Sequence, residues 1–307
     1  MFGLVKENKP EEISLRGNIC LLGAAFFWGT TFVAQMSGMD NLGPFTYAAA
    51  RYFLGFLSLW LVYFLFSDAR AEAKLKKTYR PGWRVGLGAG VIMFVASSLQ
   101  QVSMLYTTAG KASFITCLYI ILVPLCAVFL RQKIRPENWL GAVLALVGLY
   151  LLAIKGDFTL GKGDTILVVG AFFWTAHILY IGHFAALVDA IELSLSQVGV
   201  VTLLSLTVAV TTEAATWEYI KAAWLPIAYG GIMSAGVAFT LQIIGQRYAK
   251  ASHAAIIMSM ESVFGALAGC LLLGEVMTGR EIGGCLLMIT GMVVTQLRFI
   301  VTAKGAD

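Results

Sequence analysis

The hydrophobic positions of this chain lie in long, nearly unbroken runs, with polar and charged residues gathered between them. The runs are Gly17–Met36, Phe45–Phe66, Val85–Tyr106, Ala112–Leu130, Trp139–Ile154, Asp164–Phe184, Ser194–Thr212, Ala223–Gln246, Ser252–Leu273 and Ile282–Val301. A helix of roughly 20 apolar residues crosses a bilayer core, and all but the short fifth run reach about that length. Membrane barrel strands would alternate over ~10 residues, which these runs do not do. Inside hydrocarbon, continuous apolar segments satisfy their backbone only as helices. The pattern predicts an all-α membrane protein with ten transmembrane helices.

The runs repeat. Gly23–Trp28 in the first (Gly-Ala-Ala-Phe-Phe-Trp) returns as Gly170–Trp174 (Gly-Ala-Phe-Phe-Trp, preceded by Val169) in the sixth, 146 residues on from Trp28 to Trp174, and Gly17 falls on Gly163 at the same spacing. Lys111-Ala112-Ser113 before the fourth run resembles Lys250-Ala251-Ser252 before the ninth, and Arg131-Gln132-Lys133 corresponds to Leu273-Gly274-Glu275 after it. The chain therefore divides into a short leading segment (1–15), a first five-helix repeat (16–156), a second (157–301) and a tail (302–307). Five is odd, so the second copy enters the membrane from the opposite side. Inverted repeats of this kind characterise transporters, whose halves exchange shapes around a central site. Gly141 and Gly148, and likewise Gly284 and Gly291, stand seven apart on one helix face and predict close helix packing.

Composition agrees with the pattern. At 59% apolar and 13% charged residues, the chain is neither an ordinary soluble domain nor a disordered one. The net charge of +5 forms no patch for nucleic acid; its distribution matters for orientation. With the N-terminus inside, Lys6, Lys9, Arg16, Arg70, Lys74, Lys76, Lys77, Arg80, Arg84, Arg131, Lys133, Arg135, Arg247, Lys250, Arg298 and Lys304 lie inside, 16 against 5 outside. The five are Lys111, Lys155, Lys162, Lys221 and Arg280, and the bias predicts both termini in the cytoplasm. The mixed charge before the first run and the lack of a cleavage pattern favour a retained anchor over a signal peptide.

The repeat openers, Thr108–Ser113 leading to Val123-Pro124, and Ala251–Ala255 leading to Met260-Glu261-Ser262 resemble the EamA-type branch of the drug/metabolite transporter superfamily. The segment Leu271–Glu275 through Gly283, and Arg131 through Gly141, extend that resemblance across 16–301. It implies ten spans in two five-helix repeats, with the first, third, fourth, sixth, eighth and ninth lining a central cavity. It also implies the plasma (inner) membrane of a prokaryote as the location. Relatives usually carry Pro after the motif Glu. Here that residue is Ser262, which restores a backbone N–H and predicts a ninth helix less kinked than in those relatives.

Ionisable groups at membrane depth cost at least ~2.5–3.5 kcal/mol, so each needs a reason. Glu261 lies nine residues past Ser252, about 14 Å along a helix, and is a candidate proton-coupling site or counter-charge. Arg51, about 10 Å past Pro44, either snorkels, pairs with another helix or meets a substrate carboxylate; the second repeat has Gln197 at that place. On the first span Trp28, Thr31 and Gln35 share a face with Ala24, matched on the sixth by Gly170, Trp174, His177 and Ile181, with Tyr180 beside them. The family resemblance adds Ser97, Gln100, Gln101, Tyr119 and Gln242 to the predicted substrate site. His183 and His253 sit near span ends and suggest ordinary interfacial residues.

Five cysteines, all in spans and with no Cys-x-x-Cys pair, suggest small apolar packers. No metal-binding, P-loop or cofactor motif is visible. A mixed cavity with two Trp, several amides and one or two charges suits a zwitterionic or aromatic metabolite, so amino-acid export is the leading expectation. Efflux of drug-like cations is the alternative; a membrane-embedded enzyme or a receptor fits less well. Expected partners are the small-molecule substrate, membrane lipid and, if transport is coupled, protons. A homodimer is left open.

Overall fold

The computed structural model describes residues 15–40, 42–67, 80–154, 161–214, 216–274 and 276–304. Lys6, Lys9, Arg70, Lys74, Lys76, Lys77 and Lys155, and the side chains of Arg298 and Lys304, lie outside that description, so the predicted charge bias is only partly placed. The helices are α1 (Leu15–Gly38), α2 (Pro44–Leu65), α3 (Gly82–Ser103), α4 (Ala109–Thr116 and Tyr119–Phe129) and α5 (Pro136–Ala153). There follow α6 (Lys162–Phe184), α7 (Ala190–Thr212), α8 (Trp224–Tyr229, Gly230–Ala238 and Phe239–Gln246), α9 (Ala251–Met258 and Glu261–Leu273) and α10 (Gly279–Lys304). Nine of them are long and apolar enough among the described residues to cross a membrane, and α10 stands at the tenth predicted span. No strand forms among the described residues beyond an isolated bridge between Arg80 and Val188. The chain is an all-α membrane protein.

Polarity is turned inside out. Phe129 is 86% exposed, Leu271 84% and Val210 75%, whereas Gln101, Gln197, Gln242 and Gln246 are buried. Water would penalise such a surface; lipid does not. Helix starts follow local chemistry: Pro44 and Pro136 occupy first-turn positions where no N–H is required, and Asp189 accepts a hydrogen bond from the Glu192 N–H.

Helix packing follows the repeat. α1 packs on α8 and α9, as α6 does on α3 and α4; α2 packs on α8 as α7 does on α3. Three pairs, α2–α7, α4–α9 and α5–α10, join each element to its own counterpart. Single residues carry the same relation. A methyl group at Gly17 would meet the Gly245 carbonyl oxygen at 3.2 Å and Tyr248 Cβ at 2.8 Å. At Gly163 it would meet the Ser103 carbonyl oxygen at 2.9 Å and Tyr106 Cβ at 3.0 Å. From these contacts and the starts of α4 and α9, the third and fourth helices correspond to the eighth and ninth at a spacing of 142 residues, as in Tyr106 to Tyr248. The Lys111–Lys250 likeness, three residues out of this register, does not mark equivalent positions; Lys111 corresponds to His253.

The predicted glycine faces of the fifth and tenth spans meet each other. Gly141 opposes Gly291 and Gly148 opposes Gly284, with would-be methyl groups 2.5–2.7 Å from the facing carbonyl oxygens. The backbones approach as only glycine permits.

α9 is interrupted even though Ser262 stands where relatives usually carry Pro. Met260 and Ser262 donate their N–H groups to carbonyls three residues back, Ile257 and Ser259, which tightens the turn. Ser262 Oγ also pairs with Ser113 Oγ of α4 at 2.6 Å, and Glu261 is held by α4 as described below. Cross-helix bonds, not a missing donor, accompany this break. In α4 the break at Cys117–Leu118 lies one turn before Ile120, whose carbonyl Pro124 cannot reach with an N–H.

Candidate functional site

Where α1, α2, α3, α4, α6, α8 and α9 meet, they enclose a cavity of about 560 Å³ of non-atom space counted out to its open side. Its walls come largely as equivalent pairs from the two repeats: Trp28 with Trp174, Phe32 with Ile178, Gln100 with Gln242, Thr116 with Met258, and Tyr119 with Glu261. Gln35, Arg51, Tyr52, Ser234 and Phe239 complete it.

Eight of the sequence-predicted residues line this space: Trp28, Gln35, Arg51, Gln100, Tyr119, Trp174, Gln242 and Glu261. Glu261, 5% exposed, accepts from Cys117 Sγ and Tyr119 Oη, both at 3.1 Å and both on Oε1. Arg51 is buried; one terminal nitrogen donates to Tyr52 Oη at 3.0 Å and the guanidinium lies 4.5 Å from the Tyr52 ring centroid. Among the described residues neither Arg51 nor Glu261 forms an ion pair with the protein. Thus one guanidinium and one carboxyl side chain line the same cavity with no ion pair between them.

Phe239 joins the aromatic walls. Its ring is 4.9 Å from Trp28, edge-on, and 6.2 Å from Trp174, stacked at 13°. Trp174 Nε1 donates to Gln100 Oε1 at 2.9 Å, while Trp28 Nε1 and Gln242 Oε1 are buried without a hydrogen-bond partner among the described residues.

Five predicted residues are placed elsewhere. Thr31 donates back to the Phe27 carbonyl and Ser97 to the Phe94 carbonyl, so each hydroxyl serves its own helix. Gln101 Nε2 reaches Met39 Sδ. His177 is fully buried behind Trp174 and Phe239, its Nε2 3.1 Å from Gln197 Oε1. Tyr180 packs on Phe184 beside Gly88. His253, read from the sequence as an interfacial residue, is instead 3% exposed with Nε2 3.2 Å from Asn18 Oδ1. α1 packs across it and removes it from the interface.

Sequence reading missed Phe32, Tyr52, Thr116, Ile178, Ser234, Phe239 and Met258. The repeat held a signal for two of them: Phe32 and Ile178 each lie one turn beyond a repeat Trp, 146 residues apart. Tyr52, beside Arg51, had only its neighbour as a clue, and the apolar wall residues gave no sign against an apolar background.

The pattern of the EamA-like transporter family matches this chain twice, over residues 15–154 and 161–297. A protein of Archaeoglobus fulgidus described as an uncharacterized transporter is 29% identical over 92% of this chain and 87% of its own length. The uncharacterized transporter YoaV of Bacillus subtilis is 23% identical over 91% of this chain and 96% of its own. A solved crystal structure superimposes with a TM-score of 0.77 over 93% of this chain and 98% of that one; at 20% identity this concerns the fold alone.

Proposed function

The chain belongs to the EamA-like transporter family, and from that premise we propose that it carries a small zwitterionic metabolite, an amino acid or a close analogue, through the central cavity by alternating access. The observation that carries this reading is that Arg51 and Glu261 line one cavity, neither in an ion pair among the described residues, together with the aromatic side chains of Trp28, Trp174 and Phe239. Arg51 suits a substrate carboxylate by charge and fork geometry. Glu261 suits an ammonium, and the aromatic faces suit an apolar side chain or a cation. In this reading the two repeats rock against one another around the site, both termini lie in the cytoplasm, the chain resides in the plasma membrane and the direction is export. Glu261 is also the better candidate for proton coupling, because His177 is walled off by Trp174 and Phe239.

A second reading, efflux of drug-like cations, draws on the same carboxylate among aromatic faces. Counterflow by purified protein in liposomes separates the two, with the twenty L-amino acids in one panel and cationic dyes in the other. Exchange of one or more amino acids is expected. Exchange of bulky cations alone would replace the zwitterion reading with efflux. Glu261→Gln is expected to abolish the pH-gradient-driven component while leaving the folded protein intact; full retention of that component would remove Glu261 as the proton carrier.

A further inference from the structure

The two halves build the same indole–amide pair and leave it in different states. Trp28 and Trp174 are equivalent at a spacing of 146 residues, as Gly17 and Gly163 are. Gln100 and Gln242 are equivalent at 142 residues, as Tyr106 and Tyr248 are. In one pair, Trp174 Nε1 donates to Gln100 Oε1 at 2.9 Å. In the other, Trp28 Nε1 and Gln242 Oε1 are both buried and neither has a hydrogen-bond partner among the described residues. Gln242 is 1% exposed, and both residues line the central cavity. A buried donor and a buried acceptor left unmade are costly unless something else completes them. The partner each would need exists in this chain, since the equivalent pair is closed.

We propose that Trp28 Nε1 and Gln242 Oε1 form the neutral polar subsite that positions the substrate, the indole N–H donating to its carboxylate and the amide oxygen accepting from its ammonium. Arg51 and Glu261 supply the complementary charges from neighbouring walls of the same cavity. This assignment rests on the zwitterion reading and deepens it, because it makes specificity the property of one half. The Trp174–Gln100 pair spends its donor and acceptor on itself and contributes shape and an aromatic face. A ligand with an acceptor and a donor close together satisfies the open pair; one with a single charge leaves an atom orphaned.

The test uses the full-length purified protein and thermal-shift titration with the twenty L-amino acids. The amino acid that responds is then compared with its decarboxylated amine. Trp28→Phe removes the donor and keeps the aromatic bulk. It is expected to weaken the amino acid about tenfold and to leave the amine, which lacks the acceptor, unchanged. Gln242→Leu is expected to weaken both. Without ligand, Trp174→Phe should lower the melting temperature by breaking a made bond, and Trp28→Phe should not. Equal loss of melting temperature in the two Trp variants, or unaltered amino-acid affinity in Trp28→Phe and Gln242→Leu, would overturn the subsite alone. Failure of both of those variants to fold would also overturn it, since among the described residues neither Trp28 Nε1 nor Gln242 Oε1 has a hydrogen bond to lose. If no amino acid shifts the melting curve, the zwitterion reading falls and takes the subsite with it.

Discussion

Glu261 illustrates how single polar residues carry information in an apolar chain. Its Oε1 is held by a phenol and a thiol from α4, so it fastens two broken helices at their breaks. Tyr119→Phe removes one of those donors while keeping the ring. It is expected to lower stability by about 1 kcal/mol, read as a lower unfolding midpoint in detergent, because the neighbouring thiol is a weak donor. The same scarcity of polar residues makes Glu261 and Arg51 legible in the sequence, since each is costly at membrane depth unless something there needs it; Trp28 is marked by the repeat, and Gln100 and Gln242 by the family resemblance. Hydroxyls are less legible for a physical reason. Thr31 and Ser97 satisfy themselves on carbonyls three or four residues back, so they cost little and need no cavity. Gln101 and His177 point away from the cavity because each finds a partner elsewhere, Met39 in the turn after α1 and Gln197 on α7, which one sequence cannot register.

At the scale of helices, the glycine spacing of the fifth and tenth spans announces close packing, yet only the structure shows that the two faces are each other's partners. This makes a sharp contrast between adjacent residues. A methyl group at Gly284 would lie 2.5 Å from the Gly148 carbonyl oxygen, whereas nothing lies within 4 Å of one at Gly283. Gly284→Ala should destabilise by about 1–3 kcal/mol through forced separation of α5 and α10. Gly283→Ala should be neutral or stabilising by up to ~1 kcal/mol, since the site is helical and open. Chemical unfolding of the two variants side by side reads the difference. The ends of α4 and α9 give another comparison, because Arg131 (φ 59°) and Gly274 (φ 68°) both take the left-handed conformation. Arg131→Gly is expected to stabilise by about 1 kcal/mol, and Gly274→Ala to destabilise by a similar amount. Ten helices and their approximate limits are readable from hydrophobic run length. The π-helical stretch Gly230–Ala238 and the break in α9 are not, because both arise where helices press together. There Gly231 approaches the Arg51 carbonyl oxygen, and Ser262 bonds to Ser113.

Across the whole molecule, the repeat places equivalent ties at opposite ends of the bundle, since five helices separate the start of α1 from the start of α6. At one end Asp164 accepts from Thr107 Oγ1 at 2.6 Å and pairs with Lys111 Nζ at 3.4 Å. At the other, Asn18 stands where Asp164 would and His253 where Lys111 would, 3.2 Å apart, with Asn18 Nδ2 also donating to Gln296 at 2.6 Å. Both ends are therefore tied in this structure, one by a charged pair and one by neutral groups. Charge-assisted bonds are roughly twice as strong as neutral ones, so the Asn18–His253 end should open more often. Hydrogen exchange read by mass spectrometry tests this without a known substrate. Residues 245–253 should exchange roughly three- to tenfold faster than 103–111, and Asp164→Asn should bring the two segments together by speeding the slower one. Equal rates before the substitution, or acceleration of 245–253 by it, would mean that the ties do not set which end opens. In the alternating-access reading proposed above, the more easily opened end faces the compartment from which substrate is loaded at rest, and with both termini in the cytoplasm, as that reading has them, the Asn18–His253 end is the cytoplasmic one. A resting bias toward the cytoplasm is what export requires, so the exchange rates bear on the direction of transport as well as on the gates.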